Sequence, residues 1–290
     1  MFQRTDLNQL VELLSQRKAF LYHACQLLDF CSYLKVGGIP SRAYLEKMEQ
    51  PFTPFETDTG DRHKNVWDKV FGNLSDFGFT FAKGYDAVPN TYGPILFKIK
   101  PEALSQASDV AICLRSAGGN NFNREAESLS SIEDVNRLFK NPSGQHGSHY
   151  VKYRKELQEE FSEITSDISA PEISCTVNLG YLPLEYVNLV RVEPYNIQGK
   201  ALLTLVEKLA NNYHFHVYKR DKVPAYTQEL IEVISEEASL TDLCQNQHLS
   251  SELKNWANRV RNRQLEYQFN RFANYLYKGT ILPVVNNELQ

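Results

Sequence analysis

Short apolar runs in this chain each carry a residue of a chemically useful type. His23 lies in Phe20-Leu-Tyr-His-Ala24, Arg42 closes Gly37-Gly-Ile-Pro-Ser-Arg42, Tyr92 opens Tyr92-Gly-Pro-Ile-Leu-Phe97, and Glu172 heads the strand-like run after Pro171. Arginine meets phosphate in a planar, two-pronged way, and histidine suits ribose and phosphate contacts. An aromatic ring can stack on a nicotinamide. A carboxylate beside a ribose hydrogen-bonds its hydroxyl and stabilises developing positive charge. This is the equipment for gripping a dinucleotide and stabilising a sugar cation, as in the oxocarbenium-like transition state of glycosidic cleavage.

Each of these residues also has a plainer reading. Glu172 alone is an exposed acid at a strand start. His23 alone is a core histidine satisfied by a backbone group. Gly37-Gly38 is a helix stop, and the aromatic residues from Phe77 to Phe97 belong to ordinary β-structure.

The elements that must position these residues follow from periodicity. Asp6 to Arg17 spaces its leucines for a helix with Asp6 as N-cap. Phe20 to His23 reads as a strand, and Leu27 to Leu34 as a helix stopped by Gly37-Gly38. Ala43 to Gly60 reads as a helix and then a loop, and Asn65 to Leu74 as another helix. Phe77, Phe79 and Phe81 alternate as in a half-buried strand. Further strands are expected at Ile95–Ile99, Val110–Leu114, Glu172–Val177 and Tyr186–Val192, with short helices near Ser130–Phe139 and Tyr150–Ile164 between them. Beyond a soft boundary near Tyr195 the chain turns mostly helical. It ends in one long helix from Ser250 to about Tyr277 that contains no Gly or Pro. The pattern predicts an α+β fold with a mixed-sheet core, divided into residues 1–194 and a mostly helical region 195–290.

The 290 residues suffice for a full core. With 42% apolar and 23% charged residues and a net charge of −4, the chain reads as a soluble globular protein without a global basic signature. Five scattered cysteines suit reduced thiols. No apolar run reaches the ~18 residues of a membrane span, and the polar start does not read as a secretory signal. A cytoplasmic location is expected, with no membrane partner.

The order and wording of these islands resemble the DarT family of NAD-dependent DNA ADP-ribosyltransferase toxins, over roughly Lys18 to Glu193. Tyr22-His23 is similar to the family's opening strand, whose histidine contacts NAD. Gly38 falls in a similar turn after the first helix. Phe81 and Tyr92 belong to strands resembling those that cradle nicotinamide. Glu172 with Leu182-Pro-Leu-Glu-Tyr-Val187 is similar to the segment that opens on the catalytic glutamate. Arg62 falls where the family places an arginine that helps bind NAD and activate the acceptor base, and Arg42 competes with it for that role. The sequence departs from the family pattern at Cys25, where a threonine is usual, and lacks basic residues just before Glu172. The resemblance implies NAD as substrate. No metal is expected, because neither His146 with His149 nor His214 with His216 has a Cys or carboxylate cluster to complete a site. The resemblance also implies a nucleic-acid partner, single-stranded DNA first, and an antitoxin or macrodomain partner.

From Gln145 to Lys155, Tyr150, Lys152, Tyr153 and Arg154 mix rings with cations, and on the resemblance this segment would read the acceptor. Its plainer reading is a solvated helix face. Lys254, Arg259, Arg261, Arg263 and Arg271 of the last helix could track a phosphate backbone or receive an antitoxin or other partner; the plainer reading is the rim of an amphipathic helix docked on the first region. Three functional readings stand at this point. They are transfer of ADP-ribose to a DNA base by a toxin or defence effector, transfer to RNA or protein, and a catalytically silent binding module.

Overall fold

In the segment Ile95–Ile99 every residue except Lys98 is buried, as expected of a strand covered on both faces. The computed structural model describes residues 1–76, 90–139, 154–162, 171–220 and 223–285, and among these the chain is α+β with a mixed sheet.

The strands are β1 (Phe2–Gln3), β2 (Leu21–Cys25), β3 (Gly38–Pro40), β4 (Val70–Asn73), β5 (Ile95–Ile99), β6 (Ala107–Cys113), β7 (Glu172–Val177), β8 (Tyr181–Pro183), β9 (Val187–Val192), β10 (Asn196–Ile197), β11 (Lys200–Ala201) and β12 (His216–Lys219). Eight of them form one sheet in the order β1-β6-β7-β4-β2-β5-β9-β12. Its neighbours are antiparallel except β9 and β12, which run parallel. Two strand pairs lie apart from it, β3 with β8 and β10 with β11.

One junction of the large sheet is nearly open. β2 pairs with β5 along its whole length, and β4 does so with β7. Between β2 and β4 the ladder shrinks to a single pair, Tyr22 opposite Asn73. The sheet therefore parts in its middle, next to the residues singled out from sequence.

Helix α1 (Leu7–Gln16) buries Leu7, Leu10 and Leu14, with Asp6 at its N-terminal boundary but making no side-chain cap bond. Helix α2 (Leu27–Val36) ends on Gly37, whose φ of 78° is the left-handed C-cap conformation that glycine adopts without strain. Helices α3 (Arg42–Lys47) and α4 (Asp58–His63) follow.

Two sequence expectations fail here. Asn65 to Leu74 is not a helix, because Val70–Asn73 is strand β4 paired against β7. The long C-terminal helix is two, Ser251–Asn262 and Glu266–Leu276. Between them Gln264 takes a left-handed φ of 57°. Leu265 N–H bonds to Val260 O and Gln264 N–H to Arg261 O, the paired bonds of a Schellman stop. The strand expected at Phe77–Phe81 lies outside the described residues.

The region after Tyr195 adds to the same sheet and the same core. β12 joins the sheet edge beside β9. Trp256 is fully buried and stacks on Tyr226 with ring centroids 4.8 Å apart. The buried cluster runs unbroken from Ile99 and Val190 to Leu202, Trp256 and Phe269.

After Leu276 a short π-helix, Tyr277–Ile281, presses on the start of α2. Thr280 Oγ1 accepts from Leu27 N–H at 3.2 Å and donates to Gln26 Oε1 at 2.6 Å. Gly279 permits this approach: a Cβ there would lie 2.3 Å from Thr53 Oγ1 and 2.5 Å from Gln26 Cβ. Gly279→Ala is therefore expected to lower stability by about 1–3 kcal/mol through overpacking, measured as a reduced urea midpoint at unchanged slope.

Candidate active site

Where β2 and β4 part, a cavity of about 380 Å³ opens. Tyr22 to Cys25 of β2 and Phe71 to Asn73 of β4 form its facing walls. Arg42, Tyr92 and Glu172 reach it from elsewhere, as do Ser116 to Gly118 and, from the C-terminal helix, Tyr267 and Arg271.

The parting of the strands leaves backbone groups to satisfy. Extending the Tyr22–Asn73 register would set Ala24 opposite Phe71, but no ladder forms there. Instead His23 Nδ1 lies 2.8 Å from the Phe71 carbonyl oxygen. A carbonyl can only accept, so Nδ1 carries the proton. Nε2 of the neutral ring then accepts from the Tyr33 hydroxyl at 3.1 Å. Burial lowers the His23 pKa and favours this neutral form. Both ring nitrogens are thus engaged by protein, and the ring itself forms part of the cavity wall.

Glu172 begins β7 between Asn73 of β4 and Cys113 of β6. One carboxylate oxygen accepts from Ala117 N–H at 2.7 Å, and the Ser116 side chain is a second hydrogen-bond partner. Lys64 Nζ holds the same loop, donating to Ala117 O at 2.8 Å and Gly119 O at 2.9 Å. Burial outweighs these bonds and pushes the Glu172 carboxyl from an ordinary 4.5 up to about 7, with Asp61 adding to the rise and Lys64 opposing it. Asp58 and Asp61, which also line the cavity, are raised by burial too. A carboxyl that titrates at neutral pH can stabilise a cation when charged and take up a proton during the reaction.

Arg42 follows Ser41, which caps α3 by accepting from Tyr44 N–H at 3.2 Å. Its Nη1 pairs with the buried Asp29 at 2.9 Å, and the guanidinium lies 4.7 Å from the Phe52 ring centroid and 5.0 Å from that of Phe55. Tyr92 is set by a tight turn in which Asn90 Oδ1 accepts from Tyr92 N–H at 3.0 Å and Asn90 Nδ2 donates to Gly93 O. Gly93, at φ 132°, rests on the Cys25 carbonyl with no room for a side chain.

The cavity thus collects His23, Arg42, Tyr92 and Glu172. Arg62 lies outside it, half-exposed, with its guanidinium 3.8 Å from the Trp67 ring centroid and paired with Glu46. It borders an adjoining groove that shares Trp67 and Lys69 with the cavity. Gly38 also lies apart. A Cβ there would fall 2.0 Å from the Tyr181 ring, so its absence of side chain serves the β3–β8 pairing. Phe81, Tyr150, Lys152 and Tyr153 lie outside the described residues, as does the Arg154 side chain.

Arg271, Asp58, Asp61 and the loop at Ser116–Gly118 had no place in the sequence-based site. Gly118-Gly119 announced a loop, and Arg271 stood among basic and aromatic residues, but neither signal gives a destination. Among the described residues no group of His, Cys, Asp or Glu is arranged to hold a metal ion, and no helix is long and apolar enough to cross a membrane.

The fold has distant likenesses among solved structures. Thermus sp. 2.9 DarT in complex with ADP-ribosylated single-stranded DNA aligns at a TM-score of 0.41 and 10% identity, covering 69% of this chain and 93% of that one. Thermosipho africanus DarTG in complex with ADP-ribose aligns at 0.40 and 11%, covering 89% of this chain and 68% of that one. No family model and no curated protein matches the sequence. A likeness this distant assigns no activity to the chain.

The raised Glu172 carboxyl has a cost in stability. Its folded-state value exceeds its unfolded one, so its favourable contribution is complete below about 4.5 and is lost as pH climbs through about 7. Glu172→Gln removes that titration. The variant is expected to be more stable than wild type at pH 8.5, by at most roughly 3 kcal/mol, with the gap closing toward pH 4.5. Thermal melts of both proteins across that range check this.

Proposed function

We propose that the cavity binds NAD and that the chain transfers ADP-ribose from it to a nucleic-acid base, with single-stranded DNA as the first candidate. The observation that carries this reading is the convergence of His23, Arg42, Tyr92 and Glu172, from four separate segments, on one cavity whose carboxylate titrates near neutrality.

In the proposed reaction the bond between the ribose C1′ and the nicotinamide nitrogen breaks, and its electron pair leaves with nicotinamide. Glu172, as carboxylate, stabilises the oxocarbenium character at C1′. A nitrogen of the acceptor base attacks C1′, and its proton passes to the Glu172 carboxylate. The hydrogen bonds from Ala117 N–H and the Ser116 side chain hold the carboxylate at the cavity wall. His23 and Tyr92 shape the walls around the nicotinamide end, and Arg42 supplies positive charge beside them.

The groove holding Arg62 supports an approach for the acceptor. Trp67 and Lys69 border both spaces, so a base leaving a single strand would meet a ring and cations next to Glu172. In this reading Arg62 acts on the acceptor side, and Tyr150, Lys152, Tyr153 and Arg154 extend the strand contact. The biological setting would be a toxin or defence effector, restrained by an antitoxin or reversed by a macrodomain partner.

Incubation with labelled NAD and separate pools of single-stranded DNA, RNA and protein tests the reading. Wild type is expected to label DNA, and Glu172→Gln to lose at least about 100-fold of that rate while still binding NAD. The wild-type rate is expected to rise with pH through about 7. Label on RNA or protein would keep the chemistry and change the acceptor. Absence of both transfer and NAD binding would leave a binding module.

A further inference from the structure

The cavity receives a cation from the far end of the chain. Arg271 sits on the Glu266–Leu276 helix, and its side chain is only 18% exposed. Tyr267 and Tyr275 flank its guanidinium, with ring centroids at 5.5 and 5.7 Å, and it hydrogen-bonds to Tyr92 and Tyr275.

Its carboxylate partner is a loose one. Glu56 Oε2 lies 3.8 Å from Arg271 Nε, beyond hydrogen-bond distance. Glu56 is itself 45% exposed, and the same oxygen accepts from the Tyr267 hydroxyl at 2.7 Å. Nε of Arg271 is buried and has no hydrogen-bond partner among the described residues. The other arginine of the cavity differs. Arg42 is matched at 2.9 Å by the buried Asp29, which also accepts from Thr53 N–H at 3.1 Å. Arg42 is committed to structure, whereas Arg271 keeps a donor unmet beside the cavity.

The helix carrying Arg271 is locked to the N-terminal half. Glu56 N–H donates to the Tyr275 hydroxyl oxygen at 3.0 Å, the Phe55 and Tyr275 rings meet edge to face at 4.5 Å, and Thr280 joins Gln26 and Leu27. Arg271 is therefore delivered by packed structure rather than by a free tail, which suits a group that must be preorganised for an anion.

We infer that Arg271 grips the diphosphate of the dinucleotide, so that the C-terminal region completes the substrate site. This rests on the reading of the cavity as an NAD site. A guanidinium offers two parallel donors to a phosphate, and Arg271 lines the cavity while Glu56 stays beyond hydrogen-bond distance. Tyr92, bonded to Arg271 and lining the same cavity as Glu172, links the phosphate end to the reacting end.

The test compares ligands with and without phosphate on the full chain. Calorimetric titration with NAD, ADP-ribose and nicotinamide riboside is run on wild type, Arg271→Gln and Glu56→Gln. Arg271→Gln is expected to weaken NAD and ADP-ribose roughly 10- to 100-fold, the span of a charged hydrogen bond, and to leave the phosphate-free riboside unchanged. Glu56→Gln removes the competing carboxylate on an exposed side chain and is expected to tighten the two diphosphates several-fold. Equal loss for all three ligands in Arg271→Gln, or diphosphate affinities that neither variant moves, would overturn the inference while the NAD reading stands. A wild type that binds neither NAD nor ADP-ribose would overturn both.

Discussion

The structure depends on a sheet that is allowed to open in its middle without leaving its backbone unsatisfied. β2 and β4 hold together at one residue pair, Tyr22 and Asn73, and an opening beyond it would strand a buried carbonyl at a cost of about 1–3 kcal/mol. The His23 ring takes the place of the missing strand at Phe71, and Tyr33 takes up its other nitrogen. That one side chain turns what would be a defect into a cavity wall. It also explains why a histidine stands there in its neutral form.

Everything else at the site is arranged around that opening. Glu172 comes to the cavity because it begins the strand on the far side of β4, and the Ala117 N–H holds it there. The fixed amide and the Lys64 clamp keep the loop in place while burial holds the carboxyl near neutrality. Opposite these, the C-terminal helices pack through Trp256 and Phe269 into the common core and bring Arg271 in. The chain spends stability on a raised carboxyl and an under-paired arginine. Sites that must act on a substrate commonly carry such local costs.

Much of the strand framework was legible because its signals are local. Ile95–Ile99 and Glu172–Val177 have the apolar runs of buried strands and fold as such, and Gly37 ends α2 as its position suggests. The misread segments are those where partners decide. Val66, Val70 and Leu74 sit four residues apart, as on a helix, yet the pairing of Val70–Asn73 with β7 makes that stretch a strand. The break at Gln264 uses a left-handed glutamine, which no Gly or Pro announces. At the site, His23, Arg42, Tyr92 and Glu172 stood on recognisable runs. Arg62 pointed to the same place, but its neighbours Glu46 and Trp67 draw it into the adjoining groove. Arg271 reaches the cavity through helix docking 179 residues after Tyr92, and residue spacing carries no trace of that.

The central claim is that Glu172 is a neutral-range carboxyl in a cavity that takes NAD. Carbon-13 NMR of protein labelled at the glutamate side chains, with the Glu172 signal assigned from Glu172→Gln, measures this directly. The signal is expected to titrate near 7 and to move when NAD is added. A signal that titrates near 4.5 and ignores NAD would contradict both the electrostatics of the site and its place in the proposed chemistry.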